Sequence, residues 1–420
     1  MFMKRTLLTA ALLIVGAALI FFAVQATKKT GKNETQAVQP AAETAELKIW
    51  TLQEETEITQ QMCALFAEKH PDYNLTFTYA VMGNADSIDA LKKDADVAAD
   101  VFMFPSGGIP ELVEAGLIYP ITMNTDVLQE RYGESAIKSC SYKGRLYGIP
   151  ITSNSWFMYY NKSMYTPEEV TSLEKMMQKD LGKNVKNFSC AIANSWYMEA
   201  FFYALGGTLY GVNGDDPSQC SWNDADGFRA GEYLIDLAAN PRYVEDADGL
   251  ANALIAEGKL GALCSGTWSA KTLKEALGEN YAAVKLPVIT VGGNEYQLRN
   301  FVDFRATGVK SGTKYPKIAM ELAQWLGSEE CQLMRFKENY TPPTVKALAV
   351  NPIVLESPEA AALADQTNYA VPQPTTSKLA DYWTPAAAFG SGIVNGKITR
   401  SNLQENLDAM VKGFTDSLSQ

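Results

Sequence analysis

Apolar and polar positions first fall into order at residues 47–51, LKIWT, which read as a short strand. Residues 57–69 then place Ile58, Met62, Leu65 and Phe66 at helical spacing, and Pro71 closes the element. Residues 75–79, LTFTY, alternate as a half-buried strand does. Strand, helix and strand in this order make a β-α-β unit, whose parallel strands imply a sheet covered by helices. A further helix includes residues 90–93, and residues 100–104, DVFMF, are a nearly continuous apolar run stopped by Pro105, the mark of a strand buried on both faces. A short helix follows Pro110 and stops at Gly116.

The stretch 143–162, KGRLYGIPITSNSWFMYYNK, divides the pattern. Lys143-Gly144 reads as a turn, 145–149 as a strand stopped by Pro150, and 156–160 as a second extended run. The polar connector 152–155 lacks the glycine that tight hairpins favour. One α/β lobe precedes it, and the same alternation restarts after it, with helices over 167–179, 196–205, 226–239 and 251–257 and strands over 188–193 and 261–264. The connector is therefore expected to cross between two lobes. A strand-like run at 296–309 follows, then a helix at 316–326 with Pro at its first position. A last helix at 403–414 aligns Leu403, Leu407, Met410, Val411 and Phe414 on one face. No period of 20 to 50 residues recurs, which excludes a repeat solenoid.

A chain of 420 residues, 47% hydrophobic, has material for two cores. The net charge of -12, without a basic cluster, argues against nucleic acid and anionic membrane surfaces as partners. Lys4-Arg5 followed by an apolar run over 7–24 and a small-residue end at Val24-Gln25-Ala26 predicts a secretory signal in 1–26, with an uncleaved N-terminal anchor as the alternative. The first cysteine is Cys63, so N-terminal lipidation is not expected. Residues 27–45 have no apolar period and read as a disordered tether. Six scattered cysteines permit disulfides in an exported body, while Cys63 and Cys264 sit in apolar patterns that suit buried thiols.

Candidate chemistry is sparse. Trp50, Trp156, Trp196, Trp268 and Trp383 lie at strand ends or in connections, where aromatics can stack on sugar faces; core packing is the alternative, favoured for Trp50 and Trp156. Tyr159-Tyr160 invites ferric-ion binding, but strand neighbours point to opposite faces. The runs 223–227 and 245–249 resemble calcium loops without an acid at the last ligand position, and helix capping explains them better. A single histidine removes most catalytic triads, and no phosphate loop is present. A glycosidase would need a second acid facing Glu54 or Glu55.

Read in order, LKIWT, the helix ending AEKHPDY, ADVFMF with LVEAGLIYPIT, KGRLYGIPI with MYYNK, and ANALIAEGKLGALCSGTW at 251–268 resemble the extracellular solute-binding proteins of carbohydrate ABC transporters, maltose/maltodextrin-binding type. The resemblance covers residue 46 to the C-terminus. It implies an α/β, two-lobed periplasmic-binding-protein-like fold (type II) with a ligand cleft between lobes built from discontinuous segments: 46–152 with 299–350, and 153–298 with 351–420. It implies a non-catalytic, monomeric protein without cofactor or metal that closes on an oligosaccharide and delivers it to a membrane permease. An exported carbohydrate-active enzyme, or a binder of a non-sugar solute, is the alternative. Carried over by position, Phe104, Trp196, Trp268 and Trp383 would stack on sugar, while Glu54, Glu55, Asn154 and Asn194 would take hydroxyls. Ser106, Gly107, Gly108 and Ala387 stand where the family has charged partners, which implies an altered sugar preference.

Overall fold

The computed structural model describes residues 43–247, 249–374 and 376–416. The expected export segment and most of the expected tether lie outside the described residues. Strands β1 (Glu43–Thr51), β2 (Tyr73–Val81) and β3 (Val101–Pro105) are followed by a small hairpin, β4 (Ser141–Tyr142) with β5 (Arg145–Leu146), and by β6 (Ile149–Asn154). The second sheet takes β7 (Trp156–Asn161), β8 (Lys186–Cys190), β9 (Tyr243–Glu245), β10 (Leu260–Gly266) and β11 (Tyr281–Val284). A second hairpin, β12 (Val288–Val291) with β13 (Asn294–Gln297), precedes the long β14 (Phe301–Val309) and the short β15 (Val371–Pro372).

The two sheets define two lobes. The first runs β15-β14-β3-β1-β2, with β6 also on β14; the second runs β11-β7-β10-β8-β9. The β-α-β unit expected from the sequence is present, since β1 and β2 pair in parallel around the helix Thr56–Lys69. β1 begins at Glu43, so residues 43–45 are strand rather than tether; their backbone groups pair with β2 from Glu43 opposite Tyr73 onward. Helix formation at 167–179 is interrupted. A turn at Glu169–Thr171 gives way to Ser172, whose hydroxyl caps the helix Leu173–Gln178 through the Lys175 N–H.

Each sheet is covered by its own apolar core. Phe102, Phe104, Ile149, Ala306 and Leu322 belong to that of the first. In the second, alternate residues of β7 point to opposite faces: Trp156, Met158 and Tyr160 enter one cluster, and Phe157 and Tyr159 another. The adjacent tyrosines are thereby separated. All six cysteines are free thiols, and Cys220 alone among them is not fully buried.

The chain passes between lobes at a narrower place than the sequence suggests. Thr152, Ser153 and Asn154 pair with β14, so the connector shrinks to Ser155. Ser155 is locked there: its hydroxyl donates to the Phe301 carbonyl at 2.8 Å and accepts from Asn300 Nδ2 at 2.9 Å. The same Asn300 amide donates to the Trp156 carbonyl at 2.7 Å and accepts from Gln366 Nε2 at 2.8 Å. Asn300 is fully buried, so each of these bonds replaces water. A later return also differs from expectation. β15 lies at the edge of the first sheet, beside Phe301 and Val302, although its sequence neighbours Ala362 and Leu363 pack in the second lobe.

Asn300→Ala should lower the unfolding free energy by about 1 to 3 kcal/mol, because buried partners lose their bonds. Urea denaturation followed by circular dichroism checks this, and a change below about 0.5 kcal/mol would contradict the lock.

Candidate functional site

Open α/β sheets bind ligands beyond the carboxyl ends of their parallel strands. In the first lobe, β1 runs parallel to β3, and their carboxyl ends lead into the turns Gln53–Glu55 and Ser106–Gly108. In the second, β8 runs parallel to β10; they lead to Asn194 and Trp196, and to the turn Thr267–Ser269. Most of the positions singled out in the sequence therefore lie on these four loops.

Trp196 and Trp383 come together. Their ring centroids are 6.3 Å apart, and each lies 6.2 Å from the buried Phe301, so three aromatics from three distant segments pack as one cluster with Phe301 beneath the two indoles. Both tryptophans are half-buried. The platform is braced from below. Trp156 Nε1 donates to the Trp196 carbonyl at 2.9 Å, and the Tyr382 hydroxyl to the Ser195 carbonyl at 2.7 Å. Glu199, one turn along the helix Ser195–Ala204, is fully buried and accepts the Phe301 N–H at 3.1 Å; burial pushes its carboxyl well above the usual range. Trp268 is 40% exposed and covers Gly266, where any side chain would collide with its ring. Gly266 pairs with Trp156, which places Trp268 next to the crossing.

The hydroxyl-binding candidates divide. Glu54 is exposed. Asn194 is exposed, but its side-chain oxygen caps the helix through the Trp196 N–H at 2.9 Å. The loop carrying it is held by Glu245, which accepts the Ala193 N–H at 2.9 Å and the Ile192 N–H at 3.2 Å. Asn154 is half-buried, and its Nδ2 donates to Asp303 Oδ1 at 2.6 Å.

Two assignments need correction. Glu55 is 1% exposed, and both its oxygens are engaged, one by Arg305 Nη2 and the other by Arg335 Nε at 3.2 Å. It is a buried counterion, not an open acceptor. Phe104 is fully buried and packs 5.3 Å from Phe102. Gly148 and Gly308 leave the space its ring fills; a Cβ on Gly308 would stand 2.6 Å from Phe104 Cε1. A ring enclosed in this way presents no face to a ligand.

The sequence reading passed over Phe301, Arg335 and Asp303. Asp303 is 2% exposed, and burial raises its carboxyl from the usual range to about 7, against the opposing hydrogen bonds of Asn154 and the Gly107 N–H, the latter at 3.2 Å. A cavity of about 30 Å³ adjoins it, lined in part by Ser106, Ser139, Ser141 and Gln373, with room for water. The available signal was an acid within the apolar run Phe301–Val309. Among the described residues no group of three or more His, Cys, Asp or Glu could hold a metal ion, and no helix is long and apolar enough to cross a membrane.

Two α/β lobes, each with aromatic or polar loops at the carboxyl ends of its parallel strands, define a binding fold of the two-lobed periplasmic type. Residues 61–363 match the model of the family described as bacterial extracellular solute-binding protein, and the chain belongs to that family, which places it outside the cytoplasm. It is 25% identical to the galactooligosaccharide-binding protein of Bacillus subtilis over 397 residues, 91% of this chain and 92% of that protein. It is 23% identical to the maltotriose-binding protein of Pyrococcus abyssi, over 87% of this chain and 79% of that one. A solved structure described as being with acarbose superposes at a TM-score of 0.85 with 32% identity, covering 90% of this chain and 100% of that one.

Glu55→Gln should destabilise the protein by about 3 to 5 kcal/mol, since two buried guanidinium groups lose their counter-charge; chemical denaturation measures it. Asp303 works in the opposite sense. Its carboxyl binds a proton more tightly when folded, so its contribution to stability is present below about pH 4 and is lost as pH rises to about 7. Asp303→Asn should remove that dependence and gain on wild type by up to about 1.4 kcal/mol per pH unit across the window, seen in paired melts at pH 4.5 and 8.

Proposed function

We propose that this protein binds an oligosaccharide, of the maltodextrin or galactooligosaccharide kind, between its lobes without transforming it, and delivers it to the permease of an ABC transporter. The Trp196–Trp383 platform carries this reading. Paired, half-buried indoles suit the apolar faces of successive sugar rings, while polar edges nearby suit hydroxyls. Trp268 supplies a further exposed ring, and Glu54 and Asn154 supply polar groups at the first-lobe loop and the crossing, respectively. The similarity to a galactooligosaccharide-binding and a maltotriose-binding protein supports the same ligand class. Asn194, with its oxygen on the helix cap, offers its amide donor. Hinge closure around the ligand would present both lobes of a monomer to the permease, and residues 1–26 would direct export or hold the chain at the membrane.

Titration calorimetry with a maltodextrin series and a galactooligosaccharide series tests the reading. Trp383→Ala should weaken binding by about 1.5 to 3 kcal/mol, roughly tenfold to a hundredfold. Heat from neither series would overturn the ligand class. Chromatography of the incubated sugars should return them intact; shorter products would replace binding with hydrolysis.

A further inference from the structure

Asp303 and Asn154 face each other directly across the β6–β14 pair at the point where the chain leaves the first lobe. Resting on the sugar-binding reading above, we propose that Asp303 is a positioning residue that fixes the orientation of the Asn154 amide, so that Asn154 offers its carbonyl oxygen to a ligand hydroxyl. The geometry is specific. Asp303 Oδ1 accepts from Asn154 Nδ2 at 2.6 Å, and Asp303 Oδ2 accepts from the Gly107 N–H at 3.2 Å. A carboxylate whose two oxygens both accept can pair only with the NH₂ end of the Asn154 amide. The Asn154 oxygen is then the atom turned away from Asp303. In this state the position reads a hydroxyl as a donor.

A protonated Asp303 loses this discrimination, because its O–H can donate to the Asn154 oxygen and both amide orientations become acceptable. The groups around the carboxyl do not pin its charge. It accepts the Gly107 N–H from the turn after β3, and it shares the lining of the adjoining cavity with Ser106 of that turn, with Ser139 and Ser141 from the segment before and within β4, and with Gln373 after β15. The titratable neighbour is Cys140, whose thiol burial pushes well above its usual range. Arg305, two residues along β14, is engaged by Glu55. Burial without an opposing cation brings the carboxyl to about 7, within the range where the protein can be studied.

The test is calorimetry with maltotriose and a galactooligosaccharide at pH 5.5, 7 and 8.5 on wild type, Asp303→Asn, Asn154→Ala and the double variant. Wild-type affinity should rise roughly three- to tenfold from pH 5.5 to 8.5, the value of one oriented hydrogen bond. Asp303→Asn should bind at the low-pH level throughout, even though it is the more stable protein at high pH. Asn154→Ala should also be flat with pH, and adding Asp303→Asn to it should change nothing further. A pH-dependent Asp303→Asn or Asn154→Ala, or additive losses in the double variant, overturns the proposal. Should Asp303→Asn fail to fold, the profile of Asn154→Ala decides in the same way. Wild type that binds sugar with a flat profile overturns the role of Asp303 alone, whereas wild type that binds neither sugar at any pH removes the binding reading and this one with it.

Discussion

The crossing between the lobes depends on one buried amide. Asn300 joins the outgoing strand at Ser155 and Trp156 to the returning strand at Phe301, and Gln366 holds it from a third segment. Polar groups at zero exposure are stable only when paired, so these bonds specify a single register where two strands pass side by side. Hinge closure requires a few backbone torsions to move while the packed lobes on either side stay rigid. A crossing reduced to Ser155 and its neighbours confines that movement to very few residues.

From this pivot the two lobes are organised differently. The first uses charge: Glu55, in the turn after β1, is clamped by Arg305 from β14 and Arg335 from the helix Glu329–Asn339, which ties three distant segments at one point. Buried ion clusters contribute little net stability, but removing one member is costly, so such a cluster holds an arrangement more than it deepens the energy well. The second lobe uses aromatic packing. Trp222 stacks on Phe202 at 4.6 Å and meets Tyr203, Tyr382 and Phe414 edge-on, and the Trp196–Trp383 platform is the outer margin of that same cluster. Both rings are thus held by the core beneath them, which would limit the entropy lost on the proposed stacking of a sugar.

Much of this was legible in the sequence. The helix Pro316–Leu326, the apolar strand β3 and the alternation in β2 follow from local periodicity, and the two-lobed organisation from its restart after residue 162. The site was legible only where the decisive neighbours were local. Trp196 was placed by its helix start, whereas the cap that Asn194 makes to that helix was not foreseen. Phe104 looked like a strand-end aromatic because the glycines that make its niche, Gly148 and Gly308, come from other segments. Glu55 resembled an exposed loop acid because its two arginines lie far along the chain. Asp303 was hidden for the same reason, since its partner Asn154 is brought opposite by a ladder that joins two lobe crossings.

The central claim is that an oligosaccharide is taken between the lobes and closes them. Small-angle X-ray scattering with and without saturating maltotriose tests this directly. The account predicts a smaller radius of gyration in the sugar-bound protein, with no change when a non-binding monosaccharide is added. Saturated binding by calorimetry together with an unchanged radius of gyration would contradict it.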